Sequence, residues 1–376
     1  MKIILFANTD WYLYNFRLTL AQASRKKGHA VVLLSPPGEY GPRLVQAGFR
    51  WISFPLSRRG MNPFSELITL WRLARLYSRE RPDLVHHFTV KCVLYGSLAA
   101  KMAGVKGVVN AIIGLGYVFI GDEWPVRLLR WLVKGFYRRA LRGTQVIFQN
   151  PDDQELFSRN GLVNRKQVTL IPSSGVDIEK FSPSPEPAGE PLVILPARML
   201  WAKGVNEFVL AAGILRLAGV QARFALIGDT DPGNPEAVPV DQLEKWRKEG
   251  IIEWWGWQED MPMLYRQAHI VCLPSYYREG TPKSLIESAA CGRPIVTTDR
   301  PGCREVVRHQ QNGLLVPVRD SRALAEALKT LIGDAALRKQ MGKKGRELAV
   351  AEFSLEKVIG QTLSVYEKAL SGGRKG

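Results

Sequence analysis

Short apolar runs alternate with longer amphipathic stretches along the whole chain. Runs rich in Val, Ile and Leu, such as Ile3–Ala7, Ala30–Leu34 and His269–Pro274, are typical of strands buried on both faces of a parallel sheet. A glycine often separates an amphipathic stretch from the next apolar run, as expected for a left-handed helix C-cap. These glycines are Gly28, Gly48, Gly104, Gly107, Gly219, Gly250 and Gly292. Helices that alternate with short strands predict βα units around parallel sheets.

A proline-rich stretch over residues 182–191 divides this pattern into two halves. Such a stretch favours neither helix nor strand, so it is typical of a linker. A chain of 376 residues is also long for a single core and suits two domains of ordinary size. We therefore predict an α/β domain over 1–181, a second over 182–352, and a helical end over 353–376.

The net charge of +17 is concentrated in the first half of the chain. Residues 1–170 carry 25 Lys and Arg against 10 Asp and Glu, and the remainder carries 27 against 25. A basic half indicates an anionic partner, which is nucleic acid, an acidic lipid surface or a phosphorylated substrate. The segment Trp124–Arg142 predicts a helix with one basic and one apolar face, which is either a membrane-interface helix or a core helix with a solvated basic face.

The cysteines have neither a close pair nor the spacing of a metal site. They are Cys92, Cys272, Cys291 and Cys303. We expect packed thiols in a reducing compartment, without disulfides or zinc. The apolar start is too short for a secretory signal, and no run of about 18 apolar residues could cross a membrane. The expected location is therefore cytoplasmic.

Two carboxylates flank a predicted strand-to-helix turn. Glu279 follows the apolar run, and Glu287 lies about one turn into a helix predicted over Ser284–Ala290. The turn offers backbone N–H groups and the helix its positive dipole end, which together suit a phosphate or pyrophosphate. Glu287 could then accept hydrogen bonds from a ribose, and Glu279 from another polyol. Two Glu eight residues apart also occur by chance, so a helix-capping Glu and a solvated Glu are the alternative.

Two cations follow the predicted strand Leu192–Leu195. Arg198 and Lys203 lie just past its carboxyl end, where α/β sheets bind ligands, and they would neutralise a nucleotide diphosphate. Gly228, after the next strand, would let its loop approach the nucleotide. We interpret the adjacent Asp229-Thr230-Asp231 as a loop rather than a metal site.

Three stretches of the chain resemble motifs of one known family. The pair Glu279 and Glu287, the stretch Ala197–Gly204, and Gly175-Val176-Asp177 with Phe181 are similar to motifs of the retaining GT-B glycosyltransferases of group 1, family 4. That family includes bacterial enzymes of lipid-linked oligosaccharide, capsule and O-antigen assembly. The resemblance covers almost the whole chain. It implies two Rossmann-like domains facing a cleft, an acceptor on the first, a donor nucleotide on the second, and a final helix that crosses back to the first.

The resemblance also implies site residues in both domains. The implied catalytic residues are Glu279, Arg198, Lys203 and His87. The nucleotide sugar would contact Glu287, Gly280, Thr281, Ser284, Leu285, Gly228 and Gly256. The acceptor would contact Tyr14, Asn15, Lys91, Gly114 and Gly116, with Arg17 as a further polar candidate. A structural role is the alternative for His87 and for the adjacent His86.

The implied reaction is retaining transfer of a hexose or N-acetylhexosamine from a UDP-sugar to a polyprenyl-diphosphate-linked glycan. It would need no metal and no other cofactor, and the protein would be peripheral on the inner face of a bacterial cell membrane. The alternatives are a nucleotide-sugar epimerase of the same architecture, or a glycosyltransferase that uses another nucleotide sugar and a soluble acceptor. A nucleic-acid binder would fit the charge, but no recognition motif is present. An NAD enzyme is disfavoured because the first βα turn lacks Gly-x-Gly-x-x-Gly.

Overall fold

A computed structural model describes residues 1–57, 62–113, 134–278 and 280–372 of the chain. These residues form two compact units, each with its own parallel β-sheet. The first unit contains Met1–Ser174 and the residues from Glu356 onward, and the second contains Gly175–Leu355. Three of the predicted site residues, Gly114, Gly116 and Glu279, lie outside the described residues.

Seven strands form the sheet of the first unit, in the order β3-β2-β1-β4-β5-β6-β7. They are β1 (Lys2–Phe6), β2 (Ala30–Ser35), β3 (Arg50–Ser53), β4 (Leu84–Phe88), β5 (Gly107–Ile112), β6 (Gln145–Phe148) and β7 (Val168–Leu170). On the interior strand β1, Ile4 pairs in register with Val32 on one side and Val85 on the other, and all three side chains are buried. The prediction of parallel strands buried on both faces is confirmed.

The helical elements of residues 1–174 include a π-helical turn in the connection between β1 and β2. They are α1 (Asp10–Tyr12), a π-helical turn (Leu13–Arg17), α2 (Leu18–Lys26), α3 (Gly41–Gln46), α4 (Pro63–Glu80), α5 (Val90–Met102), the helical residues 134–141 (α6), α7 (Pro151–Arg159) and a 3-10 turn (Arg165–Gln167). Of the basic segment Trp124–Arg142, only residues 134–142 are described. In that part Phe136, expected on the apolar face, is exposed, whereas Tyr137 is fully buried.

Six strands form the sheet of the second unit, in the order β10-β9-β8-β11-β12-β13. They are β8 (Leu192–Pro196), β9 (Arg223–Ile227), β10 (Glu253–Trp254), β11 (Ile270–Leu273), β12 (Ile295–Thr298) and β13 (Gly313–Val316). The helices are a 3-10 turn (Trp201–Lys203), α8 (Val205–Leu217), α9 (Val240–Lys248), α10 (Met261–Gln267), α11 (Lys283–Ala290), α12 (Ser321–Gly333), α13 (Ala335–Leu348) and a π-helical turn (Ala349–Phe353). All strand pairs are parallel, so this half also has the predicted architecture.

The proline-rich stretch 182–191 belongs to the second unit. Arg293 donates a hydrogen bond of 2.8 Å from Nη2 to the Ser184 hydroxyl. Arg338 donates one of 2.9 Å from Nε to a carboxylate oxygen of Glu186. These contacts fix the stretch on the surface of the second unit. The predicted boundary after residue 181 therefore falls inside that unit, because the compact units divide earlier.

The last described helix, α14 (Leu355–Gly372), completes the core of the first unit. Its buried Val365 and Tyr366 join the cluster that contains Ile3 and Leu5 of β1. The Tyr366 hydroxyl also forms a hydrogen bond of 2.9 Å with Nδ1 of His86, in the middle of β4. The first unit is thus assembled from two separate segments of the chain.

Most of the glycines predicted as helix C-caps adopt the left-handed conformation. Six have φ between +66° and +81°: Gly28, Gly48, Gly104, Gly219, Gly250 and Gly292. Gly107 does not, because it is the first residue of β5. The prediction for Gly107 is therefore wrong, and Gly104 alone ends the preceding helical stretch.

All four cysteines are buried and free, as predicted. Burial raises the pKa of Cys92 to about 12, so this thiol is protonated at neutral pH. Across the described ranges, every helix is too short or too polar to cross a bilayer.

Candidate functional site

The sheet of the second unit has a topological switch point between β8 and β11. These two strands are neighbours at the centre, and the strand order runs outward from them in opposite directions. In sheets of this kind, ligands bind outside the carboxyl ends of the strands at the switch point. We therefore expect a ligand site at the loops that follow β8, β9 and β11.

The loops after β8 and β11 are tied together through their backbones. The Ala202 carbonyl accepts hydrogen bonds of 3.1 Å from the Tyr276 N–H and from the Ser275 hydroxyl. Gly204 has φ +77° and precedes α8, and a Cβ atom on it would lie 2.2 Å from the Pro274 carbonyl oxygen. Glycine is thus required where the two loops meet. Residues 197–204 and 274–276, called the rim below, are thereby held in fixed positions relative to each other.

Arg198 and Lys203 both lie on this rim, in the loop after β8. Nη1 of Arg198 lies 2.9 Å from Oδ2 of Asp231, and the Arg198 side chain is 59% exposed. Exposed ion pairs contribute little free energy, so an incoming anion can displace Asp231 at small cost. Lys203 is half-buried at the end of the 3-10 turn. The structure therefore places the two cations predicted to neutralise a diphosphate in the same loop, after β8.

Gly228 brings the loop after β9 against the loop after β8. Its φ is +132°, and a Cβ atom on it would lie 2.0 Å from the Ala197 carbonyl oxygen. The Gly228 N–H donates to the Gly256 carbonyl at 2.8 Å, and Trp254 Nε1 donates to the Gly228 carbonyl at 2.9 Å. The two predicted glycines, Gly228 and Gly256, are thus hydrogen-bonded to each other through their backbones at the carboxyl ends of the strands.

The Asp-x-Asp sequence is engaged with neighbouring protein groups. Asp229 accepts the backbone N–H of Trp257 at 3.0 Å, and Asp231 is the partner of Arg198. Nowhere in the described ranges do three or more His, Cys, Asp or Glu side chains cluster as metal ligands would. These carboxylates therefore act as loop supports in this structure.

The start of α11 carries the predicted phosphate-binding turn. The helix begins at Lys283, one residue before the predicted Ser284, and its N-cap is Pro282, which has no polar side chain. Since α11 follows β11, its amino end lies at the carboxyl edge of the sheet, and its dipole favours an anion there. The fully buried side chain of Leu285 anchors the first turn. Gly280 is buried, and Thr281 and Ser284 are half-buried beside the turn.

Glu287 is held on α11 by two neighbouring side chains. Its exposure is 7%, the Tyr265 hydroxyl donates to its Oε2 at 3.1 Å, and Lys283 Nζ lies 3.6 Å from its Oε1. Burial raises the pKa of Glu287, and Lys283 and Tyr265 oppose that rise. Tyr265 could not be identified from the sequence, because it lies on α10 in no recognisable motif. Its hydroxyl fixes the orientation of the carboxylate.

Two of the predicted acceptor residues, Tyr14 and Asn15, lie between β1 and α2. Tyr14 and Asn15 are both half-buried in the π-helical turn. The Tyr14 ring centroid lies 5.3 Å from that of Tyr40, and Asn15 Nδ2 donates to the Trp11 carbonyl at 3.0 Å. Both side chains keep some solvent-accessible surface, so the structure leaves them able to contact a ligand.

Arg17 is buried beside the end of β4. Its Nη2 donates to the Tyr12 hydroxyl at 2.7 Å, and its guanidinium lies 4.3 Å from the centroid of the Phe88 ring. Burial, reinforced by the Arg17 charge, holds the pKa of His86 well below its ordinary value. Arg17 thus supports the aromatic packing of this region and keeps His86 neutral.

His87 is sealed in a polar network inside the first unit. The side chain has no exposed surface, Nδ1 lies 2.8 Å from Asn110 Oδ1, and Nε2 lies 3.2 Å from the Tyr77 hydroxyl. A Cβ atom on Gly96 would lie 2.5 Å from the ring. Burial lowers the pKa of His87 to about 4. The prediction of a catalytic His87 disagrees with this burial, because both ring nitrogens already have protein partners.

Lys91 ties α5 to α4. Its Nζ donates to Glu66 Oε1 at 2.8 Å and to the Ser57 carbonyl at 2.9 Å. The side chain of Lys91 is only 22% exposed. The predicted contact between Lys91 and an acceptor would therefore compete with an existing ion pair.

Two family models match this chain, one in each half. The model described as "Glycosyl transferase 4-like" matches residues 2–150, and "Glycosyl transferases group 1" matches residues 176–348. Together the two matches cover most of the chain, which is therefore a glycosyltransferase with a 4-like domain followed by a group 1 domain. The predicted family and enzyme class are thus confirmed, and the Arg198, Lys203 and Glu287 neighbourhood lies inside the group 1 match.

Curated relatives of this chain are glycosyltransferases, and solved structures share its fold. The glycosyltransferase is 28% identical to "N,N'-diacetylbacillosaminyl-diphospho-undecaprenol alpha-1,3-N-acetylgalactosaminyltransferase" of Campylobacter jejuni, over 98% of this chain and 99% of the relative. It is 24% identical to "UDP-Gal:alpha-D-GlcNAc-diphosphoundecaprenol alpha-1,3-galactosyltransferase" of Escherichia coli, over 83% and 82%. It is also similar to Anabaena HepE, solved with UDP, at a TM-score of 0.78 and 19% identity over 98% and 100% of the chains. The predicted GT-B fold is confirmed.

Proposed function

We propose that this glycosyltransferase moves a hexose or N-acetylhexosamine from a UDP-sugar to a polyprenyl-diphosphate-linked glycan, in the assembly of a bacterial surface glycan or glycoprotein. One observation carries the donor half of the proposal. Arg198, Lys203, the amino end of α11 and Glu287 all lie around the switch point of the second sheet. Two cations and a helix dipole suit a diphosphate, and a fixed carboxylate suits a ribose.

The chemistry of this site follows from where charge develops during the reaction. When the bond between the anomeric carbon of the donor sugar and the diphosphate oxygen breaks, negative charge grows on the leaving diphosphate. Arg198 and Lys203, placed in advance by the rim, stabilise that charge without reorganising at the moment of reaction. They supply the positive charge that a metal ion gives other enzymes, so the proposal includes no metal. Glu279 holds hydroxyls of the transferred sugar, and Glu287 holds the ribose.

Two observations support a lipid-linked acceptor on the first unit. The Campylobacter and Escherichia relatives are both named for acceptors linked to undecaprenol through a diphosphate. The first half of this chain also carries nearly all of the excess positive charge, which suits a diphosphate at an anionic membrane surface. Tyr14 and Asn15 are the proposed acceptor contacts among the described residues. The proposed location is peripheral, on the inner face of the membrane.

The test is a transfer assay with purified protein. A panel of UDP-sugars and GDP-mannose is incubated with a synthetic polyprenyl-diphosphate-linked sugar, and free nucleotide and glycolipid product are measured. We expect UDP release that depends on the acceptor and persists in EDTA, and a product whose new bond keeps the anomeric configuration of the donor. Conversion of the UDP-sugar to an isomer without acceptor would show an epimerase instead. Activity lost in EDTA and restored by Mn²⁺ would overturn the metal-free reaction.

A single substitution separates binding from chemistry at this site. Glu279→Ala should abolish turnover and leave UDP affinity largely intact, since Glu279 is proposed to touch the sugar and not the nucleotide. Glu326→Ala, on the exposed face of α12, is the matched control and should keep the wild-type rate. A wild-type rate in Glu279→Ala would disprove the role of that residue.

A further inference from the structure

Helix α4 carries an apolar stripe that faces solvent. Phe64 is 80% exposed, Leu67 62%, Ile68 50% and Trp71 55%. They are three or four residues apart, so they share one face of the helix. Four large apolar side chains on consecutive turns make a contiguous patch, and soluble proteins rarely leave such a patch uncovered without a use for it.

The stripe is not the face that attaches α4 to the first unit. Leu73, Ala74 and Tyr77 are buried and pack in the cluster that contains Ile4 and Val85 of the sheet. The helix therefore has two apolar faces, and the core uses only one of them. An 18-residue helix with a second, exposed apolar face is suited to contact an apolar environment outside the protein as well as the protein core.

The charges of α4 are sorted between the same two sides. Its two acidic residues are turned toward the protein: Glu66 pairs with Lys91 at 2.8 Å, and Glu80 pairs with Lys2 and Arg50, each at 2.7 Å. The arginines of the helix, Arg72, Arg75 and Arg79, are all exposed. The guanidinium of Arg75 lies 5.4 Å from the Trp71 ring centroid, so cationic and apolar groups adjoin each other. The outward face of α4 is thus apolar and cationic, without an acidic residue of its own.

We propose that this face docks on an anionic lipid bilayer. Phe64, Leu67, Ile68 and Trp71 enter the boundary between headgroups and acyl chains, and the arginines contact lipid phosphates. The inference rests on the proposed peripheral location and names the surface that produces it, but it does not depend on the proposed reaction. It assigns this role to a helix other than the segment Trp124–Arg142.

Charge complementarity favours a bilayer over a second copy of the chain. In a two-fold dimer built on this face, both copies would present the same three arginines and no acidic residue of α4, and like charges repel. An anionic membrane supplies the opposite sign over the whole area of the patch. The excess of positive charge in residues 1–170 adds to the same attraction.

The first test compares matched pairs of exposed leucine and tryptophan substitutions. Vesicles of phosphatidylglycerol and phosphatidylcholine are sedimented with wild type, with Leu67→Ser/Trp71→Ser, and with Leu210→Ser/Leu217→Ser on α8 of the second unit, where both leucines are also exposed. We expect at least tenfold weaker binding for the α4 variant only. Arg72→Gln and Arg75→Gln should each weaken binding by about fivefold and reduce its salt dependence. Equal loss in the α8 control would overturn the proposal.

The second test measures insertion into the bilayer directly, by comparing one labelled protein with and without vesicles. Because the four native cysteines are buried, Leu67→Cys can be labelled selectively with an environment-sensitive fluorophore. Its emission should shift to the blue on anionic vesicles, and the same label at Leu217→Cys should not respond. No shift at position 67 would overturn the proposal. An α4 variant that turns a dimer into a monomer with vesicle binding intact would show that the face meets another copy instead. Neither assay contains a donor or acceptor sugar, so a failed transfer assay leaves this result unaffected.

Discussion

The α-carbon of Gly228 faces the Ala197 carbonyl so closely that a Cβ atom on Gly228 would lie 2.0 Å from that oxygen. The left-handed φ of Gly228 makes any other residue strained as well. Gly228→Ala must therefore push apart the loops after β8 and β9. We expect a loss of about 3 kcal/mol or more in the free energy of unfolding, measured in urea, together with weaker UDP binding.

Gly213→Ala is the control for that substitution. Gly213 lies inside α8, and a Cβ atom on it would meet nothing within 4 Å. Alanine in a helix interior is more stable than glycine by roughly 0.5–1 kcal/mol, so this variant should be slightly stabilised. Similar losses in both variants would mean that the close approach at Gly228 does not exist in solution.

The buried carboxylate of Glu287 should lower stability at neutral pH. Because burial raises its pKa in the folded protein, the stabilisation from its protonated form is complete below pH 4.5 and is lost as the pH rises through the folded pKa. Glu287→Gln removes the charge and can still accept the hydrogen bond from Tyr265. We expect a higher free energy of unfolding than wild type at pH 7, and equal values near pH 4.

The same substitution should weaken nucleotide binding. An amide holds a ribose diol less well than a carboxylate, so the UDP affinity of Glu287→Gln, measured by calorimetry, should fall about tenfold. A variant that gains stability and binds UDP as wild type would show that Glu287 is a structural residue. A variant that loses stability at pH 7 would contradict the assigned direction of the pKa.

The cations of the rim should affect the rate more than a cation at the other edge of the same sheet. Lys203→Ala and Arg198→Ala each remove a charge proposed to stabilise the leaving diphosphate, so each should lower kcat by about 100-fold and weaken UDP binding. Arg223→Ala removes an exposed arginine at the amino end of β9, where it pairs with Glu253 at 2.8 Å. That control should keep its rate. Equal effects in all three variants would indicate a general loss of charge or stability.

The burial of His87 predicts acid sensitivity. In the unfolded chain a histidine binds a proton near pH 6.5, whereas the folded His87 does so only near pH 4. Its contribution to stability is therefore complete above pH 6.5 and falls as the pH drops from 6.5 toward 4. Between pH 7.5 and 5 we expect wild type to lose about 2 kcal/mol more in urea unfolding than His87→Gln. A His87 ring signal that titrates near pH 6.5 in the folded protein would refute this.

The two sheets could be predicted from sequence because each buried parallel strand leaves its own local record. A run such as Val31–Leu34 needs no knowledge of its neighbours to indicate a strand covered on both faces. The cations after β8 and the start of α11 were equally local, since strand ends in parallel sheets mark ligand sites. Gly107 failed because a glycine at the start of a strand looks the same in sequence as one at the end of a helix.

Contacts between distant segments account for what the sequence did not reveal. Tyr265 reaches Glu287 from another helix, and nothing in the local sequence of α10 indicates that partner. The structural role of His87 could not be predicted, because the groups that hydrogen-bond its ring, Tyr77 and Asn110, lie elsewhere in the chain. The stripe on α4 was missed for a similar reason. Periodicity gives two apolar faces, and only packing shows which of them is covered.

The return of α14 to the first sheet has a consequence during synthesis on the ribosome. Residues 1–174 leave the exit tunnel long before Val365 and Tyr366, which belong to the same buried cluster as Ile3 and Leu5. During that interval the hydrophobic core of the nascent first unit is incomplete, and His86 lacks its hydrogen bond to the Tyr366 hydroxyl. The second unit is a continuous segment and can fold as soon as it emerges, so the half that is made first is the half that finishes last.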